Sequence, residues 1–521
     1  MPSGFVIRKN QYYDSVFLMT VNARILKLEG VQQTAVLMGS PANKQLLSDI
    51  GIQGADIDLA QSNDLIVAVI ADSMEIVNQV LDNLDGWLNA VLEEALASKL
   101  HTLEEGLAAK SNANLVVISI PGEYASREAR KALNEGMNVF LFSDNVSLED
   151  ELELKQLAKK KGVVLMGPDC GTSLIGGVGI GFANAIRRGD IGVIGAAGTG
   201  LQEFTSQVHN LGCGISHAIG TGSHDLSERI GGLTALAAME ALEADINTNV
   251  IAVISKPPGT TTLARLLDKV AICRKPVIGC FLGVDPKITS NRINLQTTRT
   301  IDEAARLAVM TSGKPTPPDL GLSTADLKEL SKEKAGWSPE QKYLRGILAG
   351  GTFCYQSQQI LREAGISVYS NSPLEATHKL IHPEKSIQHT LVDMGDEYFM
   401  VGKPHPMIDG TMRRQRIIAE SRDPQMAVLY LDFILGYNAS MDPAGELLEA
   451  IDEAKKVYKQ RGGSLTVLAS ICGTPADPQD LTFQKKILRE AGVLVYDSNA
   501  KATAACCWLF GKGDGGHGNE N

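Results

Sequence analysis

The chain has 521 residues, of which 44% are hydrophobic and 21% are charged, and its formal net charge at pH 7 is −11. This composition is typical of globular proteins, and the length predicts about three to four domains. The negative charge argues against nonspecific nucleic-acid binding, and no apolar run reaches the roughly 18 residues of a membrane helix. The first residues lack the pattern of a signal peptide, so we expect a soluble, cytoplasmic protein.

Short apolar strands alternate with amphipathic helices along the chain, and this alternation predicts an α/β fold. We predict one long helix from Glu75 to Leu96 and a linker at residues 97–112. The remaining pattern indicates a small N-terminal α/β domain, two βα series, a linker, a third βα series and a disordered tail, at residues 1–96, 113–185, 190–312, 313–342, 343–510 and 511–521.

The eight cysteines are scattered and form no CxxC pair. Most lie in apolar runs, as Cys280 does, which indicates small core residues in a reducing compartment. The adjacent Cys506 and Cys507 suit neither a metal knuckle nor an ordinary disulfide. We predict no metal site and no tightly bound cofactor.

The sharpest local feature is a glycine-rich turn at Gly198, Thr199 and Gly200, between an apolar strand and an amphipathic helix. Such a turn offers free backbone N–H groups and a helix N-terminus, which favours anions. Glycine lets a phosphate approach the backbone, and the threonine hydroxyl can cap the helix or donate to an oxyanion. An ordinary βα turn with tight helix packing is the alternative.

A second turn of this kind, Gly350, Gly351 and Thr352, opens the last βα series. Two such turns, each at the start of a helix, predict that two helix N-termini face one phosphate-bearing group. Two unrelated βα turns are the alternative.

Further candidates follow predicted strands, at the edge where α/β proteins bind ligands. Asp169, Cys170 and Gly222 are possible substrate contacts. Cys170 is also a possible nucleophile, although a small, partly buried turn residue is the favoured interpretation. Lys256 follows the strand from Val250 to Ile254 and either reaches a phosphate or lies at the surface.

A loop stiffened by two prolines holds Lys403, His405 and Asp409, and Arg413 follows it. We predict substrate contacts by Lys403, Asp409 and Arg413, and a helix cap by Asp409. His405 is a candidate acid, base or anion contact. A rigid, solvent-facing loop is the alternative.

A short internal echo links Ile360–Tyr369, ILREAGISVY, to Ile487–Tyr496, ILREAGVLVY. Each segment predicts a helix that ends at a glycine and leads into a strand. Duplication and chance similarity both explain it.

Taken in order, these motifs resemble the FdrA family of acyl-CoA-synthetase-like proteins. The strings that carry the resemblance lie at residues 40–44, 142–146, 166–172, 255–258 and 403–409. More remotely, residues 113–310 are similar to the α chain of succinyl-CoA synthetase, and residues 343–510 to the C-terminal ligase part of its β chain. The resemblance implies a truncated, Rossmann-like, CoA-binding-like domain at 113–185 and two flavodoxin-like ligase domains at 190–312 and 343–510.

In that superfamily, two helix N-termini take turns at one phosphate, and the turns at 198–200 and 350–352 occupy the corresponding positions. The resemblance therefore implies phosphate as a co-substrate or ligand, CoA as a possible ligand, a small-molecule substrate, partner subunits and a homo-oligomer. The sequence departs from the superfamily in four respects. Residues 283–296 hold no histidine where the α chain has its phosphorylated one, and Lys256 falls near the catalytic Glu position. The ATP-grasp part is absent, and so is the Gly-rich first turn of the CoA-binding domain, which residues 4–96 do not match.

Three functions remain open at this point. The first is a phosphate-handling transferase that splits oxalurate with phosphate into oxamate and carbamoyl phosphate, with His405 and Lys256 as candidate catalytic residues. The second is an acyl-CoA synthetase, and the third is a non-catalytic scaffold.

Overall fold

The computed structural model describes residues 2–13, 15–49, 51–97, 100–289, 292–316, 321–400 and 403–511. The chain forms two compact units, Met1–Asn112 and Ala113–Asn521. The disorder predicted for the C-terminal tail falls outside the described residues, except at Gly511. None of the helices within these ranges has both the length and the apolar character that crossing a bilayer requires.

The first unit is an antiparallel sheet of strand order β1-β3-β2, covered by helices. The central strand β3 is apolar throughout because its alternate side chains, such as Ile66 and Val67, enter separate cores on the two faces of the sheet. The elements of this unit are β1 (Ser3–Arg8), α1 (Ser15–Leu26), β2 (Val31–Met38), α2 (Pro41–Asp49), α3 (Ala55–Leu59), β3 (Leu65–Ala71), α4 (Met74–Asp82), α5 (Leu84–Ala97) and α6 (Leu103–Ala109).

Two predictions for this unit were wrong. The long helix expected from Glu75 to Leu96 is divided at Asn83, the C-cap of α4, which leaves the helical conformation. The expected linker holds α6, whose N-terminus is closed by a reciprocal capping box between Thr102 and Glu105. The threonine and the glutamate three residues later were the available sequence signal.

The second unit begins with a three-stranded parallel sheet of order β4-β5-β6. Its helices follow the first and second strands, as βαβ units require. The elements are β4 (Leu115–Ile118), α7 (Gly122–Asn134), β5 (Asn138–Leu141), α8 (Leu148–Lys161) and β6 (Leu165–Met166).

A seven-stranded sheet of order β13-β12-β11-β9-β10-β7-β8 follows. Five of its strands are parallel, whereas β7 and β8 form a hairpin that pairs antiparallel with β10. The elements are β7 (Thr172–Ile175), β8 (Val178–Gly181), β9 (Arg188–Gly195), α9 (Gly198–Asn210), β10 (Ile215–Gly220), α10 (Leu233–Ala244), β11 (Val250–Ser255), α11 (Thr260–Ile272), β12 (Val277–Phe281), α12 (Pro286–Thr289), β13 (Leu295–Thr297) and α13 (Ile301–Thr311).

The hairpin changes one expected boundary. Residues 172–181 were assigned to the preceding βα series, yet they extend the sheet of the following one. The hairpin turns at Gly176 and Gly177, whose φ angles of 59° and 91° are those that a tight hairpin turn requires. This Gly-Gly pair between two apolar segments was the sequence signal.

The last sheet has the order β15-β14-β16-β17-β18 and is parallel throughout. Helix α14 lies within the predicted 313–342 linker and starts with a capping box at Ser323 and Asp326. The elements are α14 (Thr324–Ala335), β14 (Tyr343–Leu348), α15 (Gly351–Glu363), a 3₁₀ turn (Ala376–His378), β15 (Thr390–Asp393), α16 (Glu397–Met400), α17 (Thr411–Glu420), β16 (Met426–Ile434), α18 (Gly445–Gln460), β17 (Thr466–Cys472), α19 (Leu481–Glu490), β18 (Leu494–Tyr496) and α20 (Asn499–Phe510).

The prediction of a multidomain α/β fold with parallel sheets is confirmed. In both echo segments the helix is followed by a left-handed glycine, Gly365 and Gly492, as predicted. The second segment then leads into β18, whereas the first leads only to isolated bridges at Tyr369 and Ser370 and not into the predicted strand. Seven of the eight cysteines are buried, as expected of small core residues.

Candidate functional site

Helices α9 and α15 begin opposite one another in the second unit. A Cβ atom added at Gly200 would lie 3.1 Å from Cγ2 of Thr352, and one added at Gly350 would lie 3.2 Å from Cγ2 of Thr199. Both contacts are tighter than ordinary van der Waals packing. A side chain at either glycine would therefore separate the two helix starts.

Both helix starts open into a cavity of about 590 Å³, at the edge where strands of three sheets end. The structure brings most of the sequence-predicted residues to its wall. These are Asp169, Cys170, Gly198, Thr199, Gly222, Lys256, Gly351, Thr352, Lys403 and His405.

The N–H groups at both helix starts are unused over the described part of the chain. Gly198, Thr199 and Gly200 donate no backbone hydrogen bond to any described residue, and neither helix has a side-chain cap. At α15 the N–H groups of Gly351 and Thr352 are equally free, as are the hydroxyl groups of both threonines. Free donors aimed at one space are what an oxyanion requires.

Four predicted residues lie outside the wall. Gly200 and Gly350 pack against the opposite turn, as described above. Asp409 accepts a hydrogen bond of 2.7 Å from the N–H of Thr411, the first residue of α17, but the N-cap is Gly410 and not Asp409 as predicted, because the helix begins one residue later than expected. Arg413 is buried behind the second turn.

Arg413 does not line the cavity as a substrate contact would; it is buried and binds Asp432 and backbone carbonyl groups. Its Nη2 donates to a carboxylate oxygen of Asp432 at 3.0 Å and to the carbonyl oxygens of Ile347 and Asp432. The same carboxylate accepts hydrogen bonds of 2.8 Å from the N–H groups of Ala349 and Gly350. Arg413 therefore stabilises the second turn from the protein side, through Asp432.

Lys256 supplies a cation to the cavity. It follows β11, and its ammonium has no ion pair or hydrogen bond with any residue in the described ranges. Its Nζ lies 5.9 Å from the ring centroid of Tyr355, in the second turn of α15. The ammonium also lowers the pKa of two cavity carboxyl groups, Asp393 and Asp169, against the larger effect of burial.

His405 presents a neutral imidazole. Its Nδ1 accepts a hydrogen bond of 3.2 Å from the N–H of Met407, which leaves the ring proton on Nε2. Burial, together with the nearby Arg413 charge, lowers the pKa of His405 to about 4. The ring packs at 5.7 Å from that of Phe182. Among its predicted roles, a neutral N–H donor to an anion or carbonyl oxygen fits this geometry best.

Asp393, at the end of β15, is a wall residue that the sequence reasoning missed. Its Oδ2 would lie 2.6 Å from a Cβ at Gly351, and its Oδ1 accepts a hydrogen bond of 3.0 Å from the N–H of Gly395. Burial raises the pKa of Asp393 to about 6. The available signal was a carboxylate directly after a predicted parallel strand.

The part of the wall that follows β5 and β6 carries hydrogen-bond acceptors. Asp169 and Asp144 follow β6 and β5, and burial raises the pKa of Asp169, with the Asp144 charge adding to the effect. Asp169 has accessible surface because it faces the cavity, although protein surrounds it on its other sides.

Cys170 does not fit the role of a nucleophile. Its side chain is only 2% exposed, and burial raises the pKa of its thiol to about 12. A thiolate would therefore be scarce near neutral pH. The favoured interpretation, a small buried turn residue, agrees with this position.

Three family models match the chain. The model described as CoA-ligase matches residues 347–507, the CoA binding domain model matches residues 187–269, and the model described as AllF, heavy metal-associated domain, matches residues 1–106. The CoA-binding match lies after the segment 113–185 where the CoA-binding-like domain was expected. The first cysteine of the chain is Cys170, so the segment matched by the heavy metal-associated model has no thiol ligand.

Comparison with known proteins finds one relative that matches nearly the whole chain and others that match about a third of it. The uncharacterized protein YahF of Escherichia coli K12 is 42% identical over 500 residues, which cover 96% of this chain and 97% of that protein. The succinate–CoA ligase [ADP-forming] subunit alpha 2 of Archaeoglobus fulgidus is 24% identical over 181 residues, or 34% of this chain and 61% of that subunit.

Among solved structures, ATP citrate lyase from Methanothrix soehngenii, in complex with citrate and coenzyme A, aligns with 79% of this chain and 84% of its own, at 12% identity and a TM-score of 0.35. The matched domains are those of acyl-CoA-synthetase-like, succinate–CoA-ligase-like proteins. With 42% identity over nearly its full length, the chain belongs to the same family as YahF.

Proposed function

We propose that the cavity binds phosphate between the starts of α9 and α15 and uses it in the transfer of a carbamoyl or acyl group. One observation carries the proposal: two helix starts with unused N–H groups, in contact with each other, open into one cavity beside the unpaired Lys256. Each helix end contributes a partial positive charge, and the ammonium adds a full one. A phosphate dianion matches this arrangement in charge and in its number of acceptors.

The reaction proposed for this site is the cleavage of oxalurate by phosphate, which the resemblance to the FdrA family implies. A phosphate oxygen attacks the carbamoyl carbon, a C–O bond forms, and the C–N bond to oxamate breaks. The helix starts and Lys256 hold the phosphate, while Nε2–H of His405 is a donor for the carbonyl oxygen that gains charge. Positioning and preorganised donors supply most of the catalysis in such a mechanism.

The carboxyl groups after β5 and β6 support a substrate rich in N–H groups. Asp144 and Asp169 offer carboxylate acceptors, and the Ser223 hydroxyl hydrogen-bonds to Asp169. Carboxylates accept hydrogen bonds from ureido nitrogens and repel the phosphates of CoA or a nucleotide.

Formation of a CoA thioester is the second candidate function. It is favoured by the matches to the CoA binding domain and CoA-ligase models. In either function we propose a cytoplasmic protein that works with partner subunits, as the name of the A. fulgidus relative suggests. Calorimetric titration with CoA discriminates the two functions, because tight CoA binding without phosphate binding would favour the thioester.

The test of the first function is a calorimetric titration of the full chain with inorganic phosphate. The double variant Thr199→Val, Thr352→Val keeps side-chain volume and removes two hydroxyl donors from the wall. We expect its phosphate affinity to fall about tenfold, the effect of losing hydrogen bonds to a charged ligand. Thr324→Val, at the exposed start of α14, is the matched control and should leave affinity unchanged. Absence of phosphate binding by the unmodified chain would overturn the proposal.

A further inference from the structure

Asp393 lies on the cavity wall beside the start of α15. In the parallel register of β14 and β15, it lies opposite Leu348, so its carboxyl group comes beside the turn that starts α15. The residue is only 6% exposed. Its Oδ1 accepts a hydrogen bond from Gly395, whereas its Oδ2 faces the cavity and has no hydrogen-bond partner in the described ranges. Because the residue is otherwise enclosed by protein while this oxygen opens on the cavity, the oxygen is available to a bound group.

Charged groups face Asp393 from several elements. Lys256, after β11, favours its ionised form, whereas Asp396, after β15, and Asp432, on β16, favour its neutral form. Asp432 is itself held by Arg413 and by the N–H groups of the turn.

His405 also faces this group, from the loop before α17. Its Nε2 would lie 3.0 Å from a Cβ at Gly395, the residue that donates to Asp393. Because this imidazole is neutral near pH 7, it adds no charge. Among the groups that face Asp393, the Lys256 cation favours its ionised form, and an anion bound nearby would oppose that effect.

Asp393 lies beside the second helix start, where the phosphate is proposed to bind. Oδ2 of Asp393 would approach a Cβ at Gly351 to 2.6 Å, and Gly351 provides one of the free N–H groups of the proposed phosphate site. Two anionic oxygens cannot share such a contact unless a proton lies between them.

We propose that Asp393 is a further catalytic residue, which takes up a proton when phosphate binds between the helix starts and delivers it to the leaving nitrogen. This inference rests on the phosphate site and the reaction proposed above. The pKa of about 6, raised by burial, places the group within reach of protonation near neutral pH. A neighbouring phosphate would raise it further.

The proton balance of the step is complete. The Asp393 carboxyl group faces a bound hydrogen phosphate dianion, one of whose oxygens attacks the carbamoyl carbon. As the C–N bond breaks, the carboxyl proton passes to the nitrogen, which leaves as the amide of oxamate. Carbamoyl phosphate keeps the phosphate proton, and Asp393 is left as a carboxylate that accepts a solvent proton for the next cycle.

The test uses sulfate, which has the shape of phosphate but does not titrate near neutral pH. The full chain is titrated calorimetrically with sulfate in two buffers of different ionisation enthalpy, and the difference gives the protons taken up. At pH 7 we expect about one proton per sulfate for the unmodified chain and none for Asp393→Asn. Asp396→Asn removes a carboxylate in the same segment but outside the wall; because its loss lowers the pKa of Asp393 in the free chain, the uptake on binding sulfate at pH 7 should be retained.

A second readout needs no variant. At pH 5 Asp393 is already largely protonated, so uptake by the unmodified chain should fall well below its value at pH 7. In phosphate-dependent cleavage of oxalurate, Asp393→Asn should lower kcat by about 100-fold and leave the KM for phosphate unchanged or lower.

The outcomes separate the two proposals. If the unmodified chain binds neither sulfate nor phosphate, the phosphate site itself is wrong. If it binds them without proton uptake, or if Asp393→Asn keeps the uptake or the full kcat, the role of Asp393 is overturned and the phosphate site stands.

Discussion

The two helix starts that meet in the cavity are built differently. At the first, all three N–H groups of Gly198, Thr199 and Gly200 are free among the described residues, and no carboxylate hydrogen-bonds to them. At the second, Asp432 occupies two N–H groups of the turn from behind, and Asp393 lies beside it. The first start therefore offers free N–H donors whatever the pH, whereas the charge beside the second depends on the protonation of Asp393.

The geometry at the second start explains why the Asp393 carboxylate does not occupy the N–H groups of α15. Asp393 does not cap α15, since its hydrogen bond comes from the N–H of Gly395. The free donors of α15 remain directed at the cavity. We therefore expect anion binding there to depend on whether Asp393 is protonated, and so on pH.

The largest effect concerns the support of the second turn. Arg413→Met removes the cation from Asp432 and leaves a buried carboxylate without its partner. We expect a loss of about 3–5 kcal/mol in the free energy of unfolding, measured by urea denaturation. Arg414→Met, the neighbouring change without this ion pair, is the control. Unchanged stability together with weaker substrate binding would restore the predicted substrate contact for Arg413.

The next effect tests whether one anion touches both helix starts. Gly351→Asp adds a carboxylate beside Asp393, and Gly198→Asp adds one at the first turn, where the nearest atom is Oγ1 of Thr172, 3.4 Å from the new Cβ. We expect each to weaken phosphate binding by at least about 100-fold, since a full charge opposes the ligand directly. Gly198→Ala, which fits without a clash, should bind phosphate nearly normally. Loss of binding in one aspartate variant alone would assign the anion to a single helix.

How far sequence reasoning reached this site depends on the kind of interaction. Both glycine turns and the strand-end position of Lys256 follow from local patterns, because strand, glycine and helix are adjacent in the chain. Arg413 was misplaced because its partner, Asp432, comes from a strand that only the fold brings near. Asp393 was missed for the same reason, since its proximity to Gly351 depends on the pairing of β15 with β14.

The elements of the fold also differ in how well the sequence predicts them. The parallel strands were visible as apolar segments, whereas the β7–β8 hairpin and the capped helices α6 and α14 depended on a few turn and cap residues. Such signals are short, and they were outweighed by the polar composition around them.

A smaller effect follows from the titration of Asp393. Its folded pKa of about 6 lies above the ordinary value of 3.8, so folding favours the protonated form. The resulting penalty on stability is absent below pH 4, grows as the pH rises and is complete above about pH 6. Asp393→Asn should therefore gain stability relative to the unmodified chain over this range, by about 2–3 kcal/mol. Urea unfolding at pH 4.5 and pH 7.5 measures the change; a difference independent of pH would show that Asp393 has an ordinary pKa.

The smallest effect is expected at Cys170, on the wall beside the first turn. Because burial raises the pKa of this thiol to about 12, its thiolate is scarce at neutral pH and the residue serves packing. Cys170→Ala should keep phosphate-dependent turnover within about twofold, with a modest loss of stability from the missing sulfur. The unmodified chain should likewise form no covalent adduct at Cys170 when incubated with substrate and examined by mass spectrometry. A loss of turnover in Cys170→Ala as large as that in Asp393→Asn, together with a carbamoyl adduct at Cys170, would mean that the reaction passes through an S-carbamoyl intermediate, and the comparison of the two helix starts would then describe binding alone.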